Sequence, residues 1–582
     1  MMRMAITCAF VCAAACGPAH HSGDDAGLDI ANAKLSIEPP MSELLIVNGA
    51  VASEGFTATL TFPDGTTQDV TSETAFGVSN GLGSFTGPQL SVNSAGKGTV
   101  LGTWQDKAGD AQVIARLKDV RVDPTLDPNT PNLFTGPEDP SRAPTILYPP
   151  VGVVMPRNLG DFETHWTDAS GNDVFEVSLH TEFSDVRVYV PGGNGVAAAG
   201  PMPSWTAFLA DEWLAAVGVE TTVDFQVRGI QKANPVSVGS AAPQQVKLTN
   251  EAMEGGLYYW NSAPSGVHGI FRHDMSKPGQ PAEEFMTTNQ TAGRCVACHV
   301  LSRDGAKMAI TYDGGNGAGT MVDVGTATAA PTVAGTAWNF GTFMPDGNSF
   351  IAISAGKFTV RDYATQAVIA NLATTGWATH PDMSPDGSQL VYVSAGTPGA
   401  DWHFGNGQII VQAYDATNHA LGAARTLVAD ASNNFYPSWS PDGQWILFNK
   451  SADNSSGGGA YNNPSASLWV IKADGTAPAI PLGTANLVAG GLTNSWGRWA
   501  PFQQTLGTNH DPLYWITVSS KRDFGVRKRL TDNWPQIWMF AFSPALAGAG
   551  ADPGAPAFRL PFQDLAGTNH IAQWAEKVVV TQ

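Results

Sequence analysis

Hydrophobic and polar residues alternate with a period of two along most of this chain, in short runs that end at Gly, Pro, Asn or Asp. Phe56, Ala58, Leu60 and Phe62 fall on one face of a strand, Pro63-Asp64-Gly65-Thr66 turns the chain, and Gln68-Asp69-Val70-Thr71 begins the next strand. Phe162 to Trp166, Phe175 to Leu179, Val186 to Val190 and Val223 to Val227 repeat the pattern further on. Between the two groups lies a proline-rich stretch running from Pro124 to Pro150. These patterns predict an all-β chain with β-sandwiches at 35–122 and 143–250, joined by a stiff linker at 123–142.

The C-terminal half is a repeat. Ser302-Arg303-Asp304-Gly305, Met344-Pro345-Asp346-Gly347, Ser384-Pro385-Asp386-Gly387 and Ser440-Pro441-Asp442-Gly443 each precede an apolar run: Met308 to Ile310, Phe350 to Ile353, Leu390 to Val393 and Trp445 to Phe448. Their glycines are spaced by 42, 40 and 56 residues, which is the spacing of propeller blades. An Asp-Gly turn joins neighbouring strands, and each four-stranded unit buries its faces only by packing on the next. A further blade is expected around Leu257 to Trp260, and another around Trp499, Leu513 to Ile516 and Ile537 to Met539. A β-propeller over 254–582, with six blades as the best count and a seventh through Trp574 as the alternative, follows.

Three stretches resemble known families. Phe56 to Thr71, with Gly98-Thr99-Val100, resembles a bacterial Ig-like domain of the intimin type, which implies a spacer or adhesion module. The strands of 143–250 are similar in size and pattern to fibronectin type III. Tyr436-Pro437-Ser438-Trp439-Ser440-Pro441-Asp442-Gly443 resembles the propeller repeats of the Tol-system periplasmic protein, which implies a fold and no particular activity.

Composition changes this picture little. The chain has 582 residues, 43% of them hydrophobic and 14% charged, with 63 Gly and 39 Pro, as expected of turn-rich β structure. A net charge of -20 argues against nucleic acid or anionic head groups as partners, since a polyanion is repelled. The N-terminus adds a compartment. Met1-Met2-Arg3-Met4 is followed by a largely apolar run from Ala5 to Ala15 and by Cys16-Gly17, which resembles a bacterial lipoprotein signal over 1–15 with Cys16 as the lipidated residue. Ordinary signal-peptide cleavage is the alternative, since Ala13 stands where leucine is commonest. Residues 16–34 are small and polar and read as a tether. Elsewhere no apolar run approaches the roughly 18 residues that span a bilayer. The expected location is the cell envelope, on the periplasmic or surface side of the outer membrane, held by acyl chains.

Candidate chemistry concentrates in Cys295-Val296-Ala297-Cys298-His299. Three of the five cysteines lie in the leader, so this pair has no other sulfur partner in the body of the chain. The spacing lets two sulfurs form thioethers to one porphyrin while the adjacent imidazole ligates iron, as in c-type cytochromes. That reading implies one covalent haem c per chain, bound by Cys295, Cys298 and His299. A short-loop disulfide, a zinc site and a thioredoxin-like dithiol remain open at this stage. Counting back six residues from each turn glycine aligns His299 with Pro381 and Pro437, at the rim of the central channel, and His380 with Cys298 two blades away. A second axial ligand is expected from His570 or His380, with a methionine such as Met275 or Met286, or an open position, as alternatives. Asn569-His570 is expected in a loop after the last strands. The one basic cluster, Lys521 to Arg529, is either a dock for an acidic redox partner or haem propionate, or a solvated loop.

Three functions are compatible with these residues. The leading one is single-electron transfer to a protein redox partner or other cell-envelope protein. A haem enzyme of peroxidase type requires an open iron position. A non-redox scaffold for proteins or glycans requires that the two cysteines carry no haem. No catalytic triad, paired carboxylates or phosphate loop is present.

Overall fold

The structure is a computed structural model that describes residues 29–196, 200–333, 335–487, 493–532 and 534–578. The leader, Cys16 and most of the tether lie outside the described residues. Among the described residues the chain is all-β, two β-sandwich modules followed by a β-propeller, and no helix is long and apolar enough to cross a membrane.

The first module alternates as its sequence dictates. Thr57–Thr61 buries Ala58 and Leu60 and pairs with Lys34–Glu38 and Thr67–Asp69. Gly65 makes the intervening turn at φ +86°, where the Asp64 carboxylate accepts the Thr66 amide and hydroxyl. The second module packs the sheet Thr145–Tyr148, Phe162–Asp168 and Met202–Phe208 over a larger one, with Trp166 and Phe175 buried between.

The two modules are not separate sheets. Lys107–Val122 is a 16-residue strand that pairs antiparallel with Gly96–Trp104 over its first half and parallel with Ser184–Pro191 over its last residues. It thereby fuses both modules into one ten-stranded sheet. The proline-rich stretch packs along that sheet instead of spacing the modules. Phe134 is buried against Tyr189 with ring centroids 5.3 Å apart, and the Asp139 amide donates to the Val238 carbonyl.

The propeller has six blades among the described residues. Five run in chain order, beginning with Val296–Leu301, Phe340–Phe343, Trp377–Met383, Asn433–Trp439 and Ser495–Leu506 as their innermost strands (blades 2 to 6). Blade 1 is closed by the far end of the chain: Thr568–Ala575 lies innermost and pairs with Gly256–Ser262, which continues to His268–Asp274 and Glu283–Thr287. The tail therefore completes the first blade and forms no seventh. The turn glycines Gly305, Gly347, Gly387 and Gly443 all sit at φ of +66° to +73°, which explains the repeated Asp-Gly. Between blades, the Trp439 indole donates to the Asp382 carbonyl at 3.2 Å and the Trp499 indole to the Ser438 carbonyl at 3.1 Å.

The innermost strands carry a repeated irregularity. In blades 4, 5, 6 and 1 the ladder bulges at His380-Pro381, Tyr436-Pro437, Trp496-Gly497 and Ile571-Ala572. The first residue of each pair has a left-handed φ, between +49° and +57°. Phe340, His380, Tyr436 and Trp496 meet in the channel, with Tyr436 stacked on Trp496 at 4.1 Å.

Candidate functional site

The two thiols and His299 lie at the start of the innermost strand of blade 2. Cys295 immediately precedes Val296–Leu301, and that strand bulges at Ala297-Cys298, one position earlier than the bulges of the other blades when counted from the Asp-Gly turn. Neither bulged residue has a left-handed φ. The shift turns Cys298 away from the channel: its amide donates to the Thr311 hydroxyl at 3.0 Å, and its side chain packs beside the apolar cluster of Ala309, Met321, Trp338, Phe343 and Phe350. Trp260 of blade 1 pins the motif by donating its indole N–H to the Val296 carbonyl at 2.8 Å.

His299 is buried, at 2% exposure, and its Nε2 has no hydrogen-bond partner. Its Nδ1 lies 3.4 Å from the Ala297 carbonyl. Donation from Nδ1–H to that carbonyl leaves Nε2 with a free lone pair, the tautomer in which imidazole ligates a metal. Burial pushes its pKa down to about 4, against the pull of the Ala297 and Ile571 backbone, so the ring is neutral at physiological pH.

His570 lies close by. It sits on the innermost strand Thr568–Ala575, not in a loop, because this last segment is drawn back into blade 1 to close the ring. Its Nδ1 is buried without a partner, and its ring rests edge-on to Trp260 at 4.8 Å and against Tyr461 at 5.1 Å. Burial lowers its pKa to about 3, and neighbouring His299 acts in the same direction. His380 is placed differently. Its Nδ1 accepts the Tyr436 amide at 3.5 Å, so the proton resides on a buried, unpartnered Nε2 that faces the aromatic residues of the channel. Its pKa is held well below the usual range by burial and by Arg498. Met275 and Met286 fill hydrophobic cores, and His510 lies beside Asn250 at the propeller's junction with the second module.

The thiols constrain the chemistry further. Both are unpaired. Burial raises the pKa of each, that of Cys298 to about 11. Among the described residues no three His, Cys, Asp or Glu side chains converge on a metal position. The motif also lies on a strand, without the helix N-terminus of a thioredoxin-like site. Two unpaired cysteines and an imidazole with a free, buried Nε2 match the donor types of haem c, with Cys298 turned into the neighbouring apolar cluster.

The basic cluster is neither a dock nor a solvated loop. Arg522 is buried, donating to the Ala485 carbonyl and to Asn494, and Arg527 pairs with Glu163 of the second module at 2.8 Å. Alternation hides this, because Glu163, which pairs with Arg527, lies 364 positions away in the sequence. Sequence reasoning also missed Trp260, Tyr461, Asp382 and Arg498 around the channel, none of which belongs to a recognisable motif.

No family model and no curated protein matches the sequence. The propeller is similar to those of TolB proteins. TolB from Acinetobacter baumannii is 15% identical over 61% of this chain and 79% of its own, with a TM-score of 0.36. A protein described as a putative TolB from Agrobacterium tumefaciens is 14% identical over 56% of this chain and 99% of its own, with a TM-score of 0.30. Hydrazine synthase of Kuenenia stuttgartiensis is 16% identical over 39% of this chain and 75% of its own, with a TM-score of 0.24. The propeller assignment itself rests on the six sheets and their closure by the C-terminal strand.

Proposed function

We propose that this protein is an exported electron carrier in which Cys295 and Cys298 hold one haem c by thioether bonds, with His299 as one iron ligand and His570 as the other. The observation that carries the reading is the free, buried Nε2 of His299 directly after two unpaired cysteines. A haem with both axial positions filled by protein exchanges single electrons without binding a substrate. The chain's own contribution is to hold His299 neutral, to orient it through Nδ1, and to bring His570 from the opposite end of the sequence to the same side of the channel. Covalent haem attachment in bacteria takes place outside the cytoplasm, which agrees with export by the N-terminal leader and anchoring through acylated Cys16. The partner is then a redox protein of the cell envelope.

The test is a pyridine haemochrome spectrum together with intact mass, on protein made with haem-maturation machinery. Wild type is expected to show a c-type band and the added mass of one haem, and Cys295→Ser/Cys298→Ser to show neither. Colourless wild-type protein with the mass of the polypeptide and its lipid alone overturns the reading and leaves a non-redox scaffold. A high-spin spectrum transfers it to the peroxidase class.

A further inference from the structure

Where the innermost strands end, Gln573, Thr342, Asp382, Ser438 and Arg498 of blades 1, 3, 4, 5 and 6 face the channel mouth together with Leu301 of blade 2. They surround a cavity of about 150 Å³ open to solvent, a volume on the scale of one that holds a benzene ring. Its lining mixes polar groups with the apolar side chains of Phe343, Met383, Trp439, Trp499 and the prolines of the turns.

Arg498 stands out among the charges there. It is mostly buried, yet its guanidinium makes a single hydrogen bond, from Nη1 to the carbonyl of its neighbour Gly497 at 3.2 Å, and forms no ion pair within 4 Å among the described residues, although the Asp382 carboxylate lies near enough to attract it. A guanidinium offers five N–H donors in a planar fork matched to an oxyanion. The other arginine at the mouth, Arg303, is already committed, with Nε on Glu576 at 2.7 Å and Nη2 on the Pro501 carbonyl. The Asp382 carboxylate accepts the Trp439 amide on Oδ2 at 2.7 Å and attracts Arg498 without forming an ion pair with it. None of its nitrogens is a buried atom without a partner, so the unused donors of Arg498 face the open cavity, where a ligand's oxyanion can replace water.

We infer that this mouth binds a small organic carboxylate, with the carboxylate on the Arg498 fork and an apolar body against Trp439 and Trp499. The apolar side chains favour an organic acid over an inorganic anion. The nearby Asp382 carboxylate disfavours a dianion such as phosphate more than a monoanion, because like charges repel. The site is separate from the thiols and His299, and the inference does not rest on haem.

The test is calorimetric titration of the full chain with benzoate, acetate and inorganic phosphate, repeated in Cys295→Ser/Cys298→Ser protein so that the outcome is independent of haem. Benzoate is expected to saturate one site per chain and to bind more tightly than acetate or phosphate. Arg498→Gln is expected to weaken benzoate binding by about tenfold or more, the loss of charge-assisted hydrogen bonds. Asp382→Asn is expected to tighten it by removing the like charge, and this arm decides the matter if Arg498→Gln does not fold. Absence of saturable binding, benzoate affinity unchanged in folded Arg498→Gln, weaker benzoate binding in Asp382→Asn, or preference for phosphate would each overturn the inference.

Discussion

At the scale of single residues, the site depends on where proton and lone pair reside in three buried imidazoles. His299, His570 and His380 each leave one buried nitrogen without a partner, but Nδ1 of His380 accepts a backbone amide, which puts the proton on its free Nε2. That difference favours His570 as the second ligand of the proposed haem, and it is testable without disturbing haem attachment. His570→Ala keeps both thiols and His299, so the haem mass is expected to persist while the visible spectrum changes from six-coordinate low-spin to high-spin. An unchanged spectrum would remove His570 from the coordination sphere. The Cys-x-x-Cys-His run was plain in the sequence, since its chemistry is local. The nearness of His570 was not, because it arises from pairing between strands about 300 residues apart, and alternation carries no record of which strands meet.

At the scale of elements, each blade is fixed by its Asp-Gly turn and by indoles that reach the preceding blade. The turns were legible because positive φ at a fixed offset demands glycine. The bulges were not, since His380, Tyr436, Trp496 and Ile571 adopt left-handed φ that their side chains do not favour, imposed by the crowding of innermost strands. The same limit hid the one-residue displacement in blade 2 that turns Cys298 toward Thr311. The indole contacts make a quantitative prediction. Trp499→Phe retains most of the buried ring but removes the N–H donated to the Ser438 carbonyl, and it is expected to cost about 1–2 kcal/mol in urea unfolding. Trp499→Ala also empties the space beside Phe542 and is expected to cost about 3–5 kcal/mol. A cost near zero for Trp499→Phe would show that the hydrogen bond contributes nothing.

At the scale of the whole molecule, three modules read from sequence behave as one body. A single hydrophobic cluster runs from Leu60 and Val113 through Phe162 and Trp213 to Trp515, Trp538 and Phe540. Period-two patterning locates strands within a module but is silent about a shared sheet, which is why the boundary expected at 123–142 is crossed by Lys107–Val122 pairing with Ser184–Pro191. The junction with the propeller has its own polar centre. Glu163, 9% exposed, accepts His165 Nε2 at 2.9 Å and Arg527 Nη1 at 2.8 Å, beside the Tyr148 and Phe524 rings 4.9 Å apart. Burial pushes the Glu163 pKa up, but His165 and Arg527 outweigh it and hold the group below its ordinary 4.5. A carboxyl whose native pKa is depressed releases its proton more readily when folded. Its contribution is therefore present above about pH 4.5 and lost as pH falls below that value. Glu163→Ala leaves Arg527 and His165 facing each other without a counter-charge, a loss of about 3–5 kcal/mol for a broken buried pair. Wild type is expected to unfold in one transition by calorimetry at neutral pH, and Glu163→Ala to split it, with the sandwich modules melting apart from the propeller. The wild-type transition is expected to split in the same way on acidification below about pH 4.5, whereas the variant's separation is expected to be insensitive to pH over that range. A single transition in the variant at both pH values would mean that the apolar contacts around Tyr148 and Phe524 couple the modules without the ionic cluster.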